Sequence, residues 1–106
     1  MFYIKENDTS PVLEVTLQDS DGDAVDVTGA TVRFHMRAIG STTAKVNAAA
    51  TIVTAASGVV RYTWQTGDTD TIGEFEGEFQ VTFGGGAVQS FPNDGWLRIS
   101  ILDDIA

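Results

Sequence analysis

Cysteine is absent from the 106-residue chain. Disulfide staples, thiolate metal sites and cysteine nucleophiles are therefore excluded, and the composition fits folding in a reducing compartment. Basic residues are scarce: six Lys plus Arg stand against fifteen Asp plus Glu, a net charge of −9. Such a field opposes binding to DNA or RNA, which requires clustered cations to neutralise phosphates. There is one histidine and there are two prolines. No apolar run approaches the roughly 18 residues of a membrane-spanning helix. The start, Met1-Phe2-Tyr3-Ile4-Lys5, lacks the basic segment and apolar stretch of a signal peptide. What the chain does have is aromatic weight, with six Phe, two Trp and two Tyr, too many for an acidic disordered tail. At this length it reads as one complete domain over residues 1–106.

The dominant hydrophobic period is two. Val32, Phe34 and Met36 alternate with Arg33, His35 and Arg37, and Leu13, Val15 and Leu17 alternate with Glu14 and Thr16. The same pattern holds for Val60, Tyr62 and Trp64, for the stretch Glu74 to Phe83, and for Leu97, Ile99 and Ile101. Alternation of this kind puts one set of side chains in a core and the other in water. Asp21-Gly22, Ser57-Gly58, Gly84-Gly85-Gly86 and Asp94-Gly95 supply turn residues between the runs. Pro11 is expected to open a strand and Pro92 to end one. The pattern predicts strands near 2–5, 11–18, 24–28, 31–38, 44–55, 58–65, 73–83, 86–91 and 95–102. Within the alanine-rich 44–55 region, β-branched residues favour strands at 44–47 and 49–55 over a short helix or turn. The fold class is all-β, an immunoglobulin-like antiparallel β-sandwich of about seven to nine strands.

In that arrangement the strand at 31–38 neighbours the one at 73–83, bringing Arg33, His35 and Arg37 toward Glu74, Glu76 and Glu78. Gly77 faces inward between Phe75 and Phe79, making room for a large side chain such as Trp64. Chemistry-bearing motifs are few. Asp19, Asp21, Asp23 and Asp26 resemble a calcium-binding set, but an EF-hand loop from Asp19 would need Gly where Ala24 stands and Glu where Ala30 stands. A solvated Asp-Gly turn accounts for them, so no metal and no cofactor is assigned. His35, between two arginines on a polar strand face, reads as an exposed strand histidine. No nucleophile elbow or phosphate-binding loop occurs, and the glutamates at spacing two read as a charged strand face, so no catalytic residue is assigned. Trp96 and Tyr3 are the candidate partner contacts, with Trp96 either an interface anchor or the cap of a core edge.

The run Asp19-Ser20-Asp21-Gly22-Asp23-Ala24-Val25-Asp26-Val27-Thr28-Gly29-Ala30-Thr31-Val32-Arg33-Phe34 resembles a stretch found in small immunoglobulin-like domains of tailed-bacteriophage structural proteins. Gly58 to Trp64, Asp68-Thr69-Asp70, Gly73-Glu74-Phe75 and Trp96-Leu97-Arg98-Ile99 follow in matching order. The similarity, to the N-terminal domain of phage baseplate upper proteins, spans residues 9–102, with Phe75 standing where the pattern has tyrosine. The resemblance implies a non-enzymatic virion protein of the tail, baseplate or head, made in the host cytoplasm. Its partners would be other phage structural proteins or further copies of itself, with no nucleic acid and no membrane. The segments 2–5 and 44–55 are the expected docking edges. The alternatives are a carbohydrate-binding sandwich using Trp96 and a small carboxylate hydrolase.

Overall fold

Period-two alternation closes into two facing layers of extended chain. The computed structural model describes residues 1–105. Its strands are β1 (Phe2–Lys5), β2 (Leu13–Thr16), β3 (Thr31–Ala38), β4 (Val46–Ala49), β5 (Thr51–Thr54), β6 (Val59–Tyr62), β7 (Gly73–Thr82), β8 (Val88–Phe91) and β9 (Leu97–Leu102). A 3-10 turn, Ala55–Ser57, joins β5 to β6. The larger sheet runs β1-β9-β7-β3-β4 with β8 also on β7, and the smaller runs β2-β6-β5. The protein is an all-β sandwich. Among the described residues no helix is long and apolar enough to cross a membrane.

Three expectations about the strands need correction. The sheets are not wholly antiparallel, because β1 pairs with β9 in parallel, Phe2 opposite Ile99 through Lys5 opposite Leu102. The segment 24–28 forms no strand beyond an isolated Gln18–Ala24 bridge. Its amides bond in turn to different neighbours, Val25 to the Leu17 carbonyl (2.9 Å) and Val27 to the Ala55 carbonyl (2.9 Å). No ladder can form from such divided pairing. Pro11 lies two residues ahead of β2 rather than within its start.

The core centres on Phe34. Its ring stacks on Tyr62 at 4.6 Å, meets Trp64 edge-on at 5.7 Å and tilts against Phe79 at 5.1 Å. Phe34 and Phe79 belong to the larger sheet and Tyr62 to the smaller, so this cluster clamps the layers together. Burying each such ring contributes roughly 1.5–3 kcal/mol. Gly77 does make room in the core, but for residues other than the expected Trp64. A Cβ there would lie 2.9 Å from Ile99 Cδ1 and 3.1 Å from Phe34 Cε1.

Loops at one end are tied by polar groups. The Tyr62 hydroxyl donates to Asp68 Oδ2 (2.6 Å), which also accepts the Gln65 amide (2.8 Å). This bond anchors the β6–β7 connection. Burial, followed by the adjoining Asp68 carboxylate, pushes the Tyr62 phenol well above its ordinary pKa. The buried Thr69 hydroxyl donates to the Asp8 carbonyl (2.8 Å), and Lys45 reaches Asp70 at 2.6 Å.

Candidate functional site

β8 and β9 occupy the same side of β7, one after the other. Phe91 pairs with Phe79 and Leu97 with Gly77. Against Glu78 alone, therefore, stand the five residues 92–96. Pro92 cannot donate to a ladder, and Gly95 takes a positive φ of 72°, so the chain leaves the sheet and returns at Leu97. This excursion delivers Trp96 onto the outer face of the larger sheet, out of phase with the inward Ile99 and Ile101.

Trp96 is 49% exposed and carries the Arg37 guanidinium 5.2 Å from its ring centroid. Arg37 Nε in turn donates to Glu76 Oε1 (2.8 Å). One row along, His35 Nδ1 lies 3.0 Å from Glu78 Oε2. Cross-strand register dictates these pairs, since β3 and β7 set His35 opposite Glu78 and Arg37 opposite Glu76. Each contributes roughly 0.2–1 kcal/mol. The third expected pair is not made: Arg33 faces Gln80 and instead forks onto Asn47 of β4, with Nε and Nη2 each 3.0 Å from Oδ1. Glu74 stands opposite Ser100.

Between these side chains and the β3–β4 loop is a groove of about 220 Å³ lined by Trp96, Arg37, Glu76, His35, Glu78 and Asn47, among others. Arg37 and Glu76 are paired and His35 contacts Glu78, so it offers fixed hydrogen-bonding groups beside an aromatic wall. Tyr3, the other expected contact, is 58% exposed but sits on β1 opposite Ser100, and does not line this groove. The strand face around Trp96 is legible only with the register known. The spacing that marked Trp96 outward, one residue off the Leu97-Ile99-Ile101 phase, was the available signal.

The aspartates divide into two turns. Asp19 Oδ1 accepts the Asp21 and Asp23 amides, both at 3.0 Å. The Asp19, Asp21 and Asp23 carboxylates gather at the surface, each offering an oxygen within 4.8 Å of the others. Asp26 is spent elsewhere, on the Thr28 hydroxyl (2.6 Å) and amide (2.9 Å), which hold its carboxyl below the usual range. The four do not form one site.

Unpaired strand edges are the other surface feature. Among the described residues, β1, β4 and β8 each have a sheet neighbour on one side only, as do β2 and β5 in the smaller layer. The segments 2–5 and 44–55 thus supply edges. No protein-family model matches the chain. No curated protein matches it either.

Proposed function

We propose that this chain is a non-enzymatic structural or adaptor module of a tailed-phage virion, acting through protein–protein contacts. The ground for the phage assignment is the resemblance read in the motifs of residues 9–102. Strand order supports an immunoglobulin-like classification: β9-β7-β3-β4 facing β2-β6-β5 corresponds to the GFCC′ and BED layers of that fold. The observation that carries the docking role is the set of free edges, whose outward N–H and C=O groups can pair with a partner's main chain. A charge of −9 would direct such docking to basic patches and discourage premature self-association. Immunogold microscopy and mass spectrometry of purified virions of the encoding phage should find the protein in stoichiometric amounts. Its absence from virions would overturn the assignment.

The Trp96 groove favours a second reading, saccharide recognition at a host surface. An exposed indole beside ion-paired donors suits a sugar face and its hydroxyls. Glycan-array binding that disappears in Trp96→Ala would support it, and a blank array with unquenched tryptophan emission would dismiss it.

A further inference from the structure

A second groove, of about 510 Å³, lies where the two layers part beside β2 and the end of β8. Val15 and Leu17 of the smaller layer face Phe79, Phe91 and Leu97 of the larger one across it. Phe79 and Phe91 form a buried floor, while Val15 and Leu97 are half-buried lips. Both flanking strands are edges: among the described residues β2 pairs only with β6, and β8 only with β7. Alternate main-chain groups of each therefore point away from the ladder they belong to.

Strand edges are ordinarily blunted by lysine, proline within the strand, or a covering segment. β1 carries Lys5, and the chain crosses between layers through Ala50 directly after β4. β8, Val88-Gln89-Ser90-Phe91, has no charged residue, and its Val88 is 58% exposed. The rim of the groove is acidic, with Asp19 on one side and Asp94 on the other.

We infer that this groove receives an extended peptide segment of a partner protein, with alternate apolar side chains turned into it and basic residues at the rim. The segment pairs along the free edge of β8, its valine-sized side chains cover the half-buried Val15 and Leu97, and its cations answer Asp19 and Asp94. A second copy docking reciprocally through the same two edges is a poor occupant, because neither β2 nor β8 carries a cation to bring to an acidic rim. The inference builds on the adaptor reading, naming the edge used and the chemistry of what it takes.

The test is a backbone-amide NMR titration of the full chain with a capped heptapeptide, arginine–valine–threonine–valine–threonine–valine–arginine. Shift changes should concentrate in 13–20 and 88–97, with a dissociation constant on the order of 100 µM. Glutamate in place of both arginines should weaken binding about 10-fold, and proline at the central valine, which removes a ladder donor, should abolish it. Asp94→Lys, a surface change that leaves one cation and one anion at the rim, should abolish the preference for the arginine-ended peptide. Absence of shifts at about 1 mM peptide, shifts confined to the β1 or β4 edges, charge-indifferent binding, or concentration-dependent shifts without peptide would each overturn the inference. Virion content is a separate readout: a protein present in virions yet blind to the peptide removes only this groove, and one that binds the peptide but is missing from virions removes only the adaptor role.

Discussion

Replacing Gly77 tests the packing at the centre of the larger sheet. A Cβ at this position would stand 2.9 Å from Ile99 Cδ1 and 3.1 and 3.2 Å from Phe34 Cε1 and Cζ. Ordinary carbon contacts are about 3.5–4.0 Å, so the shortfall is roughly 0.6 Å against Ile99 and about 0.4 Å against the ring. Phe34 cannot swing aside, being held between Tyr62 and Phe79. Overpacking of this kind costs about 1–3 kcal/mol. For Gly77→Ala the relief of glycine's chain entropy, about 0.5–1 kcal/mol, offsets much of a cost at the low end. Gly77→Val adds two methyl groups to the same space and should lose about 2–3 kcal/mol. Urea unfolding followed by tryptophan emission would read this as a lowered midpoint at constant slope, and a thermal scan as a fall of roughly 10 °C or more. The decisive variant removes the obstructing atom. Ile99→Val alone should cost about 0.5–1.5 kcal/mol, but in the Gly77→Val background it should recover stability, a coupling of at least about 0.5 kcal/mol. An unchanged midpoint for Gly77→Val, or strict additivity in the double mutant, would refute the argument.

Further outcomes follow from the polar ties and the two indoles. The folded-state pKa of Tyr62 is raised, so its stabilising contribution is complete below pH 10 and is lost as pH climbs toward the folded value; Tyr62→Phe should cost about 1–2 kcal/mol at neutral pH and flatten that alkaline loss, as measured by urea midpoints from pH 7 to 11. Trp64, buried with Phe2 5.9 Å away, should cost about 3–5 kcal/mol on truncation to Ala, whereas Trp96→Ala should stay within about 1 kcal/mol, its loss limited to an exposed arginine stack. Asp19→Ala removes the acceptor of two amides and should lower stability by about 1 kcal/mol, with Asp19→Asn retaining most of it; equal loss in both variants would mean that charge rather than turn geometry matters there.

Most of the layer structure was written in the side-chain phase. The inward sets Val32-Phe34-Met36 and Phe75-Phe79-Val81 are buried as their alternation requires. Hairpin turns fall at Ser57-Gly58 and Gly84-Gly86, where glycine permits positive φ. Gly58 is held more tightly than a turn alone demands, since a Cβ would lie 2.5 Å from the Val25 carbonyl oxygen. What the phase does not encode is which strand lies beside which. The parallel seating of β1, the partner of Arg33 and the identity of Gly77's neighbours all depend on long-range register. The segment 24–28 has strand-like composition but distributes its amides among separate partners, a tertiary outcome that propensity cannot anticipate. Trp96 was recognisable as outward; the groove around it was not, because Glu76, Glu78 and Asn47 come from distant stretches of chain.

The detour between β8 and β9 has a consequence for how such a protein can diversify. Pairing stops at Phe91 and restarts at Leu97, so the number of residues between them is set by no ladder. Extra residues inserted there would lengthen an outlying loop without shifting a single interior side chain from its place. The strand on either side acts as a fixed frame, and the break between its halves is the point where new surface can be grown at little cost to folding.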